Sequence, residues 1–125
     1  MKLLQKSTTR QELLDNTIKF YNLNNRCVTG LGCRYRYNNK ACAIGREISD
    51  ELANRLDNEF ISAQCSNNDV FKLLPIRLQK MGSNFLNDIQ ILHDNAYNWT
   101  KKGLSENGKS VVKGICYEYN LNYNL

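Results

Sequence analysis

Pro75 is the only proline and His93 the only histidine among the 125 residues. A single histidine leaves little for zinc, whose protein ligands are mostly Cys and His. The cysteines number five, and the spacings Cys27-x5-Cys33-x8-Cys42 match no common zinc module. No metal and no cofactor is therefore expected. No stretch approaches the roughly 20 apolar residues of a spanning helix. Met1-Lys2-Leu3-Leu4-Gln5-Lys6 lacks the apolar core of a signal peptide. The expectation is a cytoplasmic protein, without a membrane partner, whose thiols stay reduced and mostly buried. Thr29-Gly30-Leu31-Gly32 contains a Gly-x-Gly but no third glycine, so the dinucleotide fingerprint is absent. No Walker loop, HExxH pair or Gly-x-Ser-x-Gly elbow is present either.

The composition is that of a globular chain, 42% apolar and 23% charged. This length fits one domain, residues 1–125, able to bury a core without a metal or disulfide staple. Asn outnumbers Leu, which reads as the imprint of an AT-rich genome. The formal net charge of +5 leans toward anionic partners. Arg26, Arg34, Arg36, Lys40 and Arg46 carry much of it, with no acid between Arg26 and Glu47.

Thr9-Arg10-Gln11-Glu12 is a capping box ahead of Leu14, Ile18 and Tyr21 at helical spacing, which predicts a helix over 9–22. Two short extended runs around Asn38-Asn39 predict a β-hairpin over 33–48. Cys33, Tyr35 and Tyr37 then share one face and Arg34 and Arg36 the other. Ser49 caps a helix over about 50–61, and Asn68 or Asp69 caps the next, over about 69–81, with Pro75 at the first position of a new turn. Gly82 ends that turn. Ser83 caps a helix over about 84–99, because Phe85, Ile89, Leu92, Ala96 and Trp99 step by four, three, four, three. Ser105 opens a last helix over 105–119, and the tail after it is expected to fray. The fold class is α+β: about five helices around a short antiparallel hairpin. The core should hold Leu14, Ile18, Cys42, Ile44, Leu56, Phe71, Leu74, Phe85, Ile89, Leu92 and Ile115.

Three groups of residues carry candidate chemistry. A lone histidine suits a general base, and if the protein is an enzyme, His93, Asp94 and Asp50 are its catalytic candidates. Adjacent helical residues point about 100° apart, however, which sets Asp94 aside as a simple orienting partner, whereas Gln90 shares the His93 face. A structural, hydrogen-bonded His93 stands beside both the binding and the catalytic reading. The arginines Arg34, Arg36 and Arg46 suit phosphate, and Tyr35 and Trp99 offer stacking faces. An ordinary solvated strand over an aromatic core accounts for the same pattern. Cys33 and Cys42 lie near cations, which lowers a thiol pKa, though a buried thiol is the plainer reading. Asp50, Glu51, Asp57 and Glu59 read as a solvated acidic helix face.

Cys33-Arg34-Tyr35-Arg36, then Cys42-Ala43-Ile44-Gly45-Arg46-x-Ile48-x-Asp50, then Leu86-x-x-Ile89-Gln90-x-x-His93-Asp94 and Trp99 form a pattern. It resembles a family of small hypothetical proteins of phages, prophages and bacteria. The likeness covers roughly residues 33–119, with Ser49 where relatives often carry Pro. The resemblance implies a host-takeover or counter-defence role. The leading expectation is a non-enzymatic binder that sequesters an anionic nucleotide signal or blocks a nucleic-acid-dependent defence. Its ligand-binding residues would be Arg34, Tyr35, Arg36, Arg46, Gln90, His93, Asp94 and Trp99. The alternatives are a small hydrolase or nucleotide-processing enzyme using His93 and Asp94, and a direct protein inhibitor of a host defence enzyme. A homo-oligomer is compatible with each.

Overall fold

The computed structural model describes residues 5–30, 34–61 and 63–125. It is α+β and mostly helical. Four longer helices carry the architecture: α1 (Arg10–Phe20), α2 (Asp50–Glu59), α5 (Ser83–Asp94) and α6 (Glu106–Tyr119). Two single-turn helices, α3 (Asn68–Phe71) and α4 (Ile76–Gln79), link α2 to α5. Among the described residues no helix is long and apolar enough to cross a membrane.

The caps begin three helices where the sequence places them. Thr9 accepts the Glu12 N–H, Ser49 the Leu52 N–H and Ser105 the Gly108 N–H, each satisfying a first-turn donor that the helix cannot. Two starts differ. Asn67, not Asn68 or Asp69, caps α3, with its side-chain oxygen taking the Asp69 and Val70 amides. Ser83 is the first residue of α5, and Gly82 at φ +89 is its cap. The expected helix over 69–81 is broken into α3 and α4. Pro75 has no N–H to continue the ladder, and it stands at the cap of α4, one residue earlier than expected.

The hairpin is shorter than the alternation suggested. Among the described residues of the segment, β1 (Arg36–Tyr37) and β2 (Lys40–Ala41) pair, in the register Arg36↔Ala41 and Tyr37↔Lys40, and Cys33 lies outside the described residues. Asn38 and Asn39 join them with φ of 51° and 62°, the left-handed pair a tight hairpin turn requires. Cys42 still donates its N–H to Tyr35 O at 3.2 Å, and beyond it the chain leaves the ladder. It closes local turns, Arg46 N–H to Cys42 O at 3.0 Å and Glu47 N–H to Ile44 O at 2.9 Å, through the 3₁₀ turn Gly45–Glu47. Every residue from Ala41 to Ile48 is buried, so this segment is a core loop and not a two-faced strand.

The helix expected over 84–99 stops at Asp94. Asn95 turns extended and its side chain accepts the Tyr97 N–H at 3.0 Å, opening the 3₁₀ turn Ala96–Asn98. A second hairpin follows, β3 (Trp99–Thr100) paired with β4 (Gly103–Leu104). Ala96 is therefore exposed although it fits the helical steps, and Trp99 reaches the core from a strand.

One apolar cluster runs from Leu13 and Leu14 of α1 through Ile44, Leu56, Phe85, Ile89 and Leu92 to Ile115 of α6. Of the expected core, Ile18 and Phe71 are only half-buried, and the rest are buried. The C-terminal tail, expected to fray, is held along α1. Gln11 donates its amide to Asn122 O and accepts the Asn122 N–H, at 3.1 and 2.8 Å. Asn is also more than a compositional imprint: Asn22 and Asn25 close the end of α1, and Asn120 takes the left-handed cap of α6.

Candidate functional site

Four arginines of this chain are consumed by backbone carbonyls. Arg26 donates to the carbonyls of His93 and Asp94 at the end of α5, where a cation also suits the helix dipole. Burial lowers its pKa, and Asp94 works against that shift. Arg36 donates to the carbonyls of Gly45 and Ile48 and pairs with Asp50. Arg77 holds Ser7 O, Glu47 O and the buried Glu47 carboxylate. Arg10 reaches Met81 O and lies over the rings of Phe85 and Tyr119. Arg46, a fifth, stacks on Phe20 with its guanidinium carbon 3.5 Å from the ring centroid, and donates to Gln5 Oε1. Arg36 and Arg46 thus serve the fold, and neither presents a free fork to a phosphate.

His93 is fully buried. Its Nε2 lies 3.1 Å from the Cys27 N–H and accepts it, which puts the ring proton on Nδ1. That proton is donated to Asp94 Oδ1 at 2.6 Å. The expectation that Asp94 points away from its neighbour is thereby corrected. Asp94 is the last residue of α5, and its carboxylate folds back over the helix end, free of the geometry that separates neighbours in a helix interior. Gln90 completes the node. Its Nε2 donates to the same Asp94 Oδ1 at 2.9 Å, and its Oε1 accepts the Ile44 N–H at 3.3 Å. With Nδ1 protonated, the 3.4 Å approach of Gln90 Nε2 to that nitrogen is a contact between two donors and not a hydrogen bond. The ring has no lone pair left with which to take a proton from a substrate.

The aromatic candidates are equally committed. Tyr35 is 2% exposed, with its hydroxyl on Ala63 O at 3.2 Å. Trp99 is 3% exposed, and its indole N–H donates to Leu92 O at 2.9 Å. Neither ring offers a stacking face to solvent. Asp57 does not belong to a solvated acidic face: it is buried, and its two oxygens accept the amides of Tyr35 and Arg36 at 2.8 and 3.1 Å. Of the candidate thiols, Cys42 is buried with its sulfur accepting the Gly45 N–H, and Cys33 lies outside the described residues.

Arg34 differs from the other arginines. Its buried Nε is unpaired, as are those of Arg26 and Arg46, but no hydrogen bond or ion pair engages any part of its guanidinium among the described residues. It stands between two concavities. One is a cleft of about 260 Å³ lined by Cys27, Val28, Thr29, Arg34, Gln64, Gln90 and Asp94. The other is a wider, shallower depression of about 460 Å³ over the hairpin, lined by Arg34, Arg36, Tyr37, Asn38, Asn39, Lys40 and Asp50. The structure therefore brings Arg34, Gln90 and Asp94 of the expected site to one cleft. Asp50 lines only the second depression, where it meets Arg36 and not the histidine. Lys40, seen in the basic run, adds a second cation there, its Nζ donating to Asn24 O.

Gln64 and Thr29 line the cleft without any signal in the sequence, since both are isolated polar residues in loops. Cys27 sits in the wall with its thiol pushed up to about 11 by burial first, then by the carboxylates of Asp57 and Asp94. That makes it an inert wall and not a nucleophile. No group of three or more potential metal ligands occurs among the described residues. The cleft thus has a lining of mixed polarity that includes both a cation and a carboxylate, suited to binding by charge and hydrogen bonds.

A scan against protein-family models, a search of curated proteins and a search of solved structures find no match to this chain.

Proposed function

We propose that this protein is a non-enzymatic binder of a small anionic ligand, in its most concrete form a nucleotide held by its phosphate at Arg34. The observation that carries the reading is the Arg34 guanidinium, partly buried and unspent beside a cleft, in a chain that commits its neighbouring arginines to carbonyls. A guanidinium fork pairs bidentately with phosphate oxygens, and desolvation strengthens that pairing. The net charge of +5 favours anion approach. The engagement of both His93 nitrogens supports binding over turnover by that residue. On this reading, which the resemblance of the sequence to small phage proteins supports, such a binder would act in the bacterial cytoplasm and sequester a nucleotide signal of host defence. The exposed rings of Tyr97 and Tyr117 are what a direct protein inhibitor would use instead.

Thermal shift and calorimetry with mono-, di- and cyclic nucleotides at low salt test the reading. A ligand at 100 times its Kd adds about 2.7 kcal/mol of stability. The expected result is a shift that Arg34→Ala abolishes while the melting temperature of the free protein stays within about 2 °C, the scale of a surface substitution. A flat screen across all nucleotides rejects the reading.

A further inference from the structure

Resting on the reading of this cleft as a nucleotide site, we infer that it selects guanine, through the one carboxylate oxygen of Asp94 that the fold leaves unused. Asp94 Oδ1 accepts both the His93 Nδ1–H and the Gln90 Nε2–H, which fills its two lone pairs. Oδ2 makes no hydrogen bond among the described residues, and the Asp94 side chain is 57% exposed where it lines the cleft. Asp94 and Arg34 line the same cleft yet form no ion pair with each other. A ligand that fits has an anionic end for Arg34 and N–H donors at its other end.

Among the common bases only guanine places two N–H donors side by side, N1–H and the 2-amino group. Oδ2, with both lone pairs open, can be shared between these two neighbouring donors. Adenine and cytosine put a ring-nitrogen acceptor beside their amino group. Uracil flanks its single N–H with two carbonyl oxygens, which would face the carboxylate. An anionic oxygen attracts two N–H donors and repels a ring-nitrogen or carbonyl acceptor set against it, so the wrong bases are disfavoured as well as less well held. Gln90 and His93 lock the carboxylate plane from behind, so Oδ2 is aimed before the ligand arrives.

The test compares GMP, AMP, CMP, UMP, IMP and XMP by calorimetry on the full chain. GMP is expected to bind at least tenfold tighter than AMP, CMP and UMP. IMP, which lacks the 2-amino donor, should also bind at least tenfold more weakly than GMP. Asp94→Asn keeps one oxygen for His93 and Gln90 and places an amide NH₂ where Oδ2 stands. It should leave the melting temperature unchanged and turn the preference from GMP to XMP, whose 2-oxo group accepts that NH₂. Equal binding of all six nucleotides overturns the guanine assignment and leaves the anion site at Arg34 standing. So does a GMP to XMP ratio unmoved by a folded Asp94→Asn. If that variant does not fold, the IMP comparison on the unaltered protein decides. Binding of a zwitterionic amino acid such as glutamine, with no nucleotide bound, overturns both this inference and the nucleotide reading.

Discussion

The imidazole of His93, on the last turn of α5, accepts the backbone N–H of Cys27 at 3.1 Å, across 66 residues of chain. This bond fixes the start of the loop whose Cys27, Val28 and Thr29 form one wall of the cleft. His93 is a positioning residue: the group it holds is backbone, and the carboxylate it orients is the one facing the cleft. Removing the ring leaves the Cys27 amide without its partner, leaves Asp94 Oδ1 with Gln90 alone, and opens a cavity beside Tyr21, whose ring lies 4.6 Å away. His93→Ala is expected to lower stability by about 3 kcal/mol, from the lost packing and the unsatisfied buried amide together. Urea denaturation measures it. A loss under about 1 kcal/mol would remove His93 from this structural role.

Arg36 closes the hairpin onto the loop behind it by donating to the carbonyls of Gly45 and Ile48. Arg36→Ala should cost about 2 kcal/mol, the usual penalty for leaving buried carbonyls unpaired. Arg36→Lys should recover less than half of it, since one ammonium cannot span both carbonyls as the guanidinium plane does. Nucleotide affinity of the folded variants should change less than in Arg34→Ala. Chemical denaturation beside calorimetry reads both quantities, and a ligand loss at Arg36 equal to that at Arg34 would place the phosphate over the hairpin depression instead.

Gly45 carries no side chain because there is no room for one. A Cβ there would overlap the carbonyl oxygen of Tyr35 and press on the Cys42 sulfur. The obstacle is backbone, which cannot swing aside. Gly45→Ala should therefore destabilise by about 3 kcal/mol or more, in the range of severe overpacking. Gly114, whose added Cβ would meet nothing, is the control, and Gly114→Ala in the interior of α6 should stabilise by roughly 0.5–1 kcal/mol. Melting temperatures of the pair should move in opposite directions.

The thiol of Cys27 is raised from 9.0 to about 11, by burial first and by Asp57 and Asp94 after it. Its folded pKa lies above its unfolded one, so the folded state keeps the proton longer. The resulting stabilisation is whole below about pH 9 and is lost as pH rises through about 11. Stability of the unaltered protein should therefore fall across that window relative to Cys27→Ala, whose curve lacks this contribution. In the folded protein at pH 8, iodoacetamide should label Cys27 far more slowly than a free thiol, as peptide mass spectrometry will show. Rapid labelling at pH 8 would contradict the burial.

The sequence by itself determined the local events of this fold. Thr9, Ser49 and Ser105 cap helices because a hydroxyl three residues upstream of an amide needs no distant partner. Asn38-Asn39 makes a hairpin turn because Asn tolerates the left-handed backbone. The periodic apolar stripes of α1, α5 and α6 found the core because burial follows the 3.6-residue repeat. Charge and alternation singled out Arg34, and the neighbourhood of His93 singled out Gln90 and Asp94; the three line one cleft. Tertiary structure alone decided what each polar side chain is for. Arg34 and Arg36 are two residues apart and look alike in sequence, yet Arg36 falls within reach of two carbonyls of the folded-back loop and Arg34 does not. Arg46 meets Phe20, and the helix read through to Trp99 stops at Asn95, whose side chain caps a new turn. The lone His93, whose neighbours in sequence suggested catalysis, finds its proton acceptor one residue on and its proton donor 66 residues back. A buried hydrogen-bonding group takes whatever partner packing delivers to it. That partner is set by the path of distant chain, which no spacing within a segment records.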